Sequence, residues 1–260
     1  MYKNNLKAYL ACHPDEQPYS LYRVKRCISL LTGIEWIIHD TCIQSHVAFI
    51  TMYAHLDVCP EHGKAHYDPD RFAKTGVKVP RKQFMTIPIG PVIQALYCST
   101  QTAQQMHYFL EQVSQLAQQH SIDSYYDTCC STEFLELYRS GSLKIGNIFV
   151  QLSIDGAQLF QDKTSDCWIY IFVIHNLSPE LHYKKIYVMP GGIIPSNIDP
   201  FLFPGLHHIA TLQNEGFAYY DTHLQQVVRD AALYVALGTA DSPAMADISG
   251  TVRHTGKQGC

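Results

Sequence analysis

The sequence predicts a mixed α/β protein in which helices and a small module rich in cysteine and histidine precede a sheet. Short β-branched, apolar runs recur after Gly146, and apolar residues at helical spacing lie between the last two of these runs. The segment from Cys42 to Tyr67 has many Cys and His residues and no periodicity, which is typical of a module ordered by something other than a core. Strands followed by a helix and another strand favour a mixed sheet.

Composition limits the classes of protein that are compatible with this chain. Its 260 residues are 47% hydrophobic, which is ample for a core. The formal net charge of −4 gives no overall basic surface, so contacts with nucleic acid would depend on local patches. No apolar run approaches the ~18 residues of a membrane span, and no signal peptide is recognisable, so we expect a soluble, intracellular protein without a membrane partner. The nine cysteines are an odd number and scattered, which favours metal ligation or burial over disulfides.

Five segments follow from these patterns in chain order. They are an N-terminal lead with a short helix (1–40), a zinc-ribbon-like module (41–70), a basic, proline-containing connector (71–98), a helical segment (99–146) and the sheet-forming part (147–260). Apolar residues between Leu21 and Ile38 predict the short helix of the lead. The connector "GVKVPRKQFMTIPIGP" is expected to be extended. The helical segment should contain one amphipathic helix that starts near Met106 and ends near His120.

Four strands and one helix are predicted in the last segment. The strands are "NIFVQLSI", "CWIYIFVIH", "KIYVM" and "LYVALGTA", and the first of them should be buried on both faces. The helix is expected between Pro204 and Glu215, with the proline near its first turn.

The module carries two pairs of residues with the spacing of zinc ligands. Cys42 and His46 are four positions apart, Cys59 and His62 are three apart, and about a dozen residues separate the pairs. Zn²⁺ prefers four tetrahedral thiolate or imidazole ligands, and two such pairs can supply them. Gly63 can adopt the positive φ that the turn of a metal knuckle requires. The alternative is a set of buried cysteines and surface histidines in a region that is rich in histidine anyway.

Two acids are predicted where strands end. Asp155 ends the first strand and precedes Gly156, which would let the backbone turn away or a ligand approach. Asp241 follows the last strand in the same way. Carboxylates at neighbouring strand ends are a natural site for Mg²⁺, and two such ions can clamp a phosphoryl displacement. From these residues alone, surface turns and caps are the more common role, and Asp241 before "SP" is also a typical helix N-cap.

Four blocks of the sequence together resemble the transposases of fungal Plavaka-type elements, which are relatives of the CACTA and hAT-like cut-and-paste transposons. The blocks are "SHVAFITMYAHLDVCPEHGKAHYD", "PRKQFMTIPIGPVIQALY", "LSIDGAQLFQDKTSDCWIYIFVIHNLSPELHYKKIYVMPGGIIP" and "LGTADSPAMADISGTVRHTGKQGC". They stand in the family's order from about residue 40 to residue 260. The third block is the most specific, because an acid and glycine, a tryptophan strand and "YKK" rarely occur together by chance.

This resemblance implies a partial RNase H-like catalytic core of the DDE/D kind. In such a core three acids hold two Mg²⁺ or Mn²⁺ ions, an activated water attacks a DNA phosphodiester, and the freed 3′-hydroxyl attacks the target strand. By position, Asp155 would be the first acid and Asp241 the second. The partner would be the DNA of the transposon ends, the location nuclear, and self-association into a homo-oligomer is compatible with it.

The chain departs from the family at several positions. His46 and His62 stand where the family usually has cysteine, and both remain competent zinc ligands. His66 and His107 replace residues that tend to be basic, which would weaken phosphate contacts there.

The end of the sequence bears on catalysis. Cys260 matches the segment leading into a second cysteine pair, and the third acid of the family lies well beyond it. Asp247 does not match that acid in position. The chain therefore looks like the N-terminal part of a transposase or a truncated remnant, and we do not expect strand cleavage from these residues alone.

Two basic patches are candidates for DNA contact, and two other functions compete with strand transfer. The patches are Arg81 with Lys82, and Lys184 with Lys185, although solvated surface lysines look the same in sequence. One competitor is a non-catalytic, zinc-ordered remnant that binds nucleic acid or protein. The other is an α/β hydrolase, which the absence of a G-x-S-x-G elbow disfavours.

Overall fold

The computed structural model describes residues 2–119, 121–158, 166–195, 199–241 and 244–246. Its contacts divide the chain into two units, Met1–Glu35 and Trp36–Cys260. No described helix is long and apolar enough to cross a lipid bilayer.

The first unit contains helices α1 (Tyr2–Cys12) and α2 (Leu21–Thr32). Ser20 caps α2, since its hydroxyl accepts a hydrogen bond from the backbone N–H of Arg23 at 3.3 Å. Gly33 ends the helix with a φ of 67°. The predicted short helix therefore exists, but it stops before Ile37 and Ile38, which lie in a strand.

The second unit contains the sheet and the remaining helices. Its described strands are β1 (Ile37–Thr41), β2 (Lys82–Thr86), β3 (Asn147–Gln158), β4 (Asp166–Ile174), β5 (Met189–Pro195), β6 (Phe217–Asp221) and β7 (Gln226–Ala240). Its described helices are α3 (Pro69–Thr75), α4 (Ile89–Leu96), α5 (Thr100–Met106), α6 (Tyr108–Ala117), α7 (Thr132–Arg139), α8 (Pro179–His182) and α9 (Asp199–Asn214). Two single-turn 3-10 helices lie at Thr51–Tyr53 and Thr128–Cys130.

The strands form one seven-stranded sheet in the order β1-β2-β5-β4-β3-β7-β6. β3 pairs with β7 in parallel, and every other described pairing is antiparallel. The mixed α/β class predicted from the sequence is therefore confirmed.

Helices cover both faces of the sheet. Ile148, Val150, Leu152 and Ile154 of β3 join a core with residues of α4 and α9, while Phe149 joins a second core with residues of α6 and α7. The prediction that this strand is buried on both faces is confirmed for its central part. Its two faces differ in polarity, because Ile148, Val150, Leu152 and Ile154 alternate with Phe149, Gln151 and Ser153.

The connector predicted over residues 71–98 contains α3 and α4 at its two ends, and residues 76–88 between them are not helical. The Asp68 carboxylate accepts hydrogen bonds from the N–H groups of Asp70 and Arg71, and Pro69 occupies the first turn, so α3 begins here. Gly76 ends it with a φ of 67°. Between the two helices, β2 is extended and pairs with β1, and Pro80 forms an isolated bridge with Tyr67.

The helix predicted from Met106 is present as α6, but it starts at Tyr108 and Met106 is the last residue of α5. α5 and α6 are separated at His107, whose Nε2 lies 2.7 Å from a carboxylate oxygen of the fully buried Asp221. Asp221 is distant in the sequence, and its contact with His107 holds the chain at the boundary between the two helices. His120, the predicted end of the helix, lies outside the described residues.

The third predicted strand, "KIYVM", begins only at its last residue. Tyr187 and Val188 donate backbone hydrogen bonds to the carbonyl of Lys184, which makes this stretch a turn. β5 instead runs through Gly191 and Gly192. A Cβ built on Gly191 would lie 2.1 Å from Cε2 of Tyr170, so only glycine leaves room for that ring.

The helix predicted from Pro204 begins five residues earlier. α9 contains Pro204 in its interior, at the cost of one backbone hydrogen bond. Phe201 and Leu202 in the added turn are 0% and 4% exposed, and their burial offsets that loss.

Candidate metal sites

The first predicted zinc pair lies in a tight turn that follows β1. The Ser45 N–H donates to the carbonyl of Cys42 at 2.8 Å, with Ser45 at a φ of 60°. The N–H of Cys42 donates a hydrogen bond to the carbonyl of Val47 at 3.0 Å, which closes the turn. The N–H of His46 points at the Cys42 sulfur, 2.9 Å away. A sulfur that receives an N–H in this way is prepared to carry negative charge.

The second pair lies in a similar turn. The N–H of Cys59 donates to the carbonyl of Lys64, and the N–H of Gly63 donates back to the carbonyl of Cys59. Gly63 has a φ of 66°, so the prediction of a positive φ at this position is confirmed. The ring of His62 is oriented by the N–H of Lys64, which donates to Nδ1 at 3.1 Å.

The two turns bring three of the four predicted ligands together. Ligand atoms of Cys42, Cys59 and His62 lie within 4.8 Å of one another. Both cysteines are 1% exposed. The buried Nε2 of His62 has no hydrogen-bond partner in the described structure, and a buried polar atom without a partner is unusual. This group could therefore hold a metal ion.

The fourth predicted ligand lies beside the group and not in it. The exposed His46 ring makes an edge contact with the His62 ring at 5.1 Å between centroids. Its nitrogens are not among the atoms that converge within 4.8 Å. Since the side chain is exposed, rotation about its χ angles is not opposed by packing.

The electrostatics of Cys59 agree with a metal-binding role. Burial raises the pKa of its thiol, while the backbone N–H groups of Glu61 and His62 act in the opposite direction. The desolvation therefore keeps the free thiol protonated, although the amides are arranged for a thiolate. A cation that displaces the proton would stabilise the buried thiolate of Cys59.

A buried histidine fixes the module to β1. Nε2 of His66 lies 3.0 Å from the Asp40 carboxylate, and its Nδ1 lies 3.0 Å from the carbonyl of Leu56. Its ring stacks between Phe49 and Tyr67. His66 is 2% exposed and His107 is 8% exposed, so neither faces the solvent where a phosphate would lie. Both rings have structural contacts, and the expectation of weakened phosphate contacts at these positions stays a prediction.

The two predicted acids lie in or directly after neighbouring parallel strands. The register of β3 and β7 pairs Ile154 with Ala240, so Asp155 is the next residue of β3 and Asp241 directly follows the last residue of β7. Adjacent strands are about 4.8 Å apart. Both acids are exposed.

A side-chain hydrogen bond joins β3 and β7. Gln151 and Asp155 share a face of β3, and Nε2 of Gln151 donates to the hydroxyl of Thr239 at 2.9 Å. Asp241 lies two positions after Thr239 and directly follows the last residue of β7. Among the described residues, no other Asp, Glu, His or Cys forms a group of three ligands with them.

Asp155 does not end its strand, as the sequence analysis had predicted. β3 continues to Gln158, and Gly156 pairs with Trp168 of β4. A Cβ on Gly156 would lie 3.3 Å from Cζ3 of Trp168. The glycine therefore accommodates the tryptophan ring and does not turn the chain.

Asp241 also caps a helical turn. Its Oδ1 accepts a hydrogen bond from the N–H of Ala244 at 2.9 Å, as the N-cap alternative predicts. The other carboxylate oxygen is not needed for this cap.

The four predicted DNA-contact residues differ in their surroundings. Arg81, Lys184 and Lys185 are exposed. Lys82 is partly buried and donates to the hydroxyl of Ser45, so it supports the first cysteine turn. Cys260 and Asp247 lie outside the described residues.

A second group of candidate ligands was not predicted from the sequence. Asp127, His175 and His182 present ligand atoms within 4.8 Å of one another. They come from three separate elements, and their spacing matches no ligand motif, so no local signal could have identified them.

Comparisons with known proteins leave the family open. No protein-family model, no curated protein and no solved structure matches this chain.

Proposed function

We propose that the chain carries part of a metal-dependent DNA transposase core of the DDE/D kind, in which Asp155 and Asp241 hold Mg²⁺ or Mn²⁺. The observation that carries this proposal is the parallel register of β3 and β7, which pairs Ile154 with Ala240 and so brings the backbone of Asp155 next to that of Asp241, the residue that follows β7. Oxygen ligands on adjacent strands suit hard divalent cations. When bound, such ions activate a water and stabilise the leaving oxygen of a phosphodiester.

The topology supports an RNase H-like core. β3, β4 and β5 form an antiparallel meander, and α9 then leads to the β6–β7 hairpin, whose second strand lies parallel to β3. This order agrees with the core that the resemblance to Plavaka-type transposases implies. The site is incomplete within the described residues, because a third acid is needed for two ions.

We also propose that zinc occupies the group formed by Cys42, Cys59 and His62, with His46 as the fourth ligand. Thiolate and imidazole ligands select Zn²⁺ over Mg²⁺. The module would then present the exposed Arg81 to DNA in the nucleus.

A non-catalytic binding function is the second candidate, and one observation favours it. The cap that Asp241 forms on Ala244 gives this acid a structural role without any metal. In that case the zinc module would be the functional part, binding nucleic acid or protein.

Iron-directed cleavage of the protein distinguishes the two. Fe²⁺ that replaces Mg²⁺ generates hydroxyl radicals in the presence of ascorbate and peroxide, and these cut the nearby backbone. We expect cuts at both Asp155 and Asp241, suppressed by excess Mg²⁺ and lost in Asp155→Asn. Asp123→Asn, at an exposed acid in the same unit, is the matched control. Cuts at neither acid would contradict the shared ion and leave the binding function.

A further inference from the structure

A buried cluster away from both sites described above has the composition of a metal centre. Asp127 precedes the 3-10 helix Thr128–Cys130, His175 directly follows β4, and His182 is the last residue of α8. Both histidines are 4% exposed. Their rings make an edge contact with centroids 4.8 Å apart.

Each of the three side chains is held by a hydrogen bond through one of its two polar atoms. Oδ1 of Asp127 accepts from the N–H of Thr128 at 2.7 Å. Nδ1 of His175 lies 3.3 Å from the hydroxyl of Thr128. Nε2 of His182 donates to the carbonyl of Leu177 at 2.7 Å, which leaves Nδ1 with the lone pair. Ligands in metal sites are typically oriented by such outer hydrogen bonds.

Two of the three residues keep a second polar atom that makes no hydrogen bond within the described structure. Oδ2 of Asp127 and Nε2 of His175 are buried and lack a hydrogen-bond partner among the described residues. One ligand atom from each of the three residues lies within 4.8 Å of the others. Ligand atoms on a tetrahedral zinc ion are about 3.4 Å apart at the usual bond lengths, so small side-chain adjustments would close the shell.

We propose that Asp127, His175 and His182 bind a divalent transition-metal ion, with Zn²⁺ the favoured one. Two imidazoles and a carboxylate are a known zinc ligand set, and a water completes the tetrahedron. This site is independent of the proposed transposase function.

Other roles account for the cluster less well. Core histidines without a metal normally use both nitrogens in hydrogen bonds, and here Asp127 and His175 each keep one buried polar atom without a partner among the described residues. Burial, and next the neighbouring His182, lower the pKa of His175, which keeps its imidazole in the neutral form that ligates metals.

The position of the cluster indicates a structural role. A bound ion would join the segment before α7, the end of β4 and the end of α8. The exposed Lys184 and Lys185 follow α8 directly. The ion would therefore fix the backbone that presents this basic patch.

Metal content of purified variants tests the proposal. We expect two Zn²⁺ ions per wild-type chain, one in Asp127→Asn, one in Cys59→Ser and none in the double variant. Asp127→Asn is chosen because its amide oxygen can still accept from Thr128, so the fold is retained even where His175→Gln fails to fold. Asp123→Asn should retain both ions.

Cobalt spectroscopy provides a second readout. In Cys59→Ser, Co²⁺ should give the ligand-field bands of a tetrahedral site without a sulfur charge-transfer band, and Asp127→Asn on that background should abolish them. Another transition metal that is lost in Asp127→Asn would also support the site. The proposal is overturned if Asp127→Asn holds as much metal as Asp123→Asn, or if the Cys59→Ser chain binds no Co²⁺.

Discussion

Replacing Cys59 by serine removes one of the three converging ligands of the cysteine and histidine module with little change in volume. The sulfur is 1% exposed and faces Cys42 and His62. The core around it is small, with Val47 and Phe49 as its buried members besides the cysteines. Such a core gives little stability by itself, so we expect the ion to stabilise this part of the unit strongly.

The size of the effect follows from ligand linkage. An ion present at about 1,000 times its dissociation constant stabilises the folded state by about 4 kcal/mol. For a unit of about 150–250 residues, 1 kcal/mol corresponds to roughly 2–4 °C in Tm. The unit that contains the module spans Trp36–Cys260. We therefore expect Cys59→Ser to lower Tm by roughly 8–16 °C in zinc-replete buffer.

Differential scanning calorimetry measures this change, with metal content determined on the same samples. Cys98→Ser is the matched control, because Cys98 is exposed and belongs to no candidate ligand group among the described residues. Equal Tm values for the two variants would show that the module is not held by a metal.

Two other predictions concern the sheet and its helices. Gly191→Ala should lower the free energy of unfolding, measured in urea, by about 3 kcal/mol, because a Cβ would lie 2.1 Å from Cε2 of Tyr170. Gly238→Ala is the control and should be nearly neutral, because its Cβ would meet no atom within 4 Å. Equal losses of stability in the two variants would refute this explanation. Burial lowers the pKa of His208 from 6.5, and its Nε2 accepts the N–H of Gly90, so the neutral ring belongs to the folded state. The unfolded chain then binds the proton more readily, so this contribution to stability is complete above pH 6.5 and declines as the pH falls below it. As the pH is lowered below 6.5, the urea midpoint should fall less in His208→Gln than in the unsubstituted protein. Identical pH profiles of the two proteins would show that His208 does not cause the decline.

Features encoded by neighbouring residues were predictable from the sequence. The two pairs of Cys and His could be recognised because each occupies one turn, so that their spacing is visible in the chain. The strand β3 was also recognisable, because β-branched and apolar residues are concentrated in it.

Features that depend on distant partners were not predictable. The break between α5 and α6 depends on Asp221, 114 residues from His107. β5 contains two glycines that sequence propensity assigns to a turn, and it is a strand because the Tyr170 ring packs against them. The cluster of Asp127, His175 and His182 is assembled from three elements that only the fold brings together.

The parallel pairing of β3 with β7 has a consequence for biosynthesis. The partner that completes the centre of the sheet is synthesised long after β3, and closing so large a loop delays this contact. Until Ala240 has left the ribosome, the edge of β3 that later pairs with β7 has no strand to cover it. Asp155 and Asp241 consequently become neighbours in the backbone only in the finished fold, so a nascent or prematurely terminated chain would lack this pair of acids.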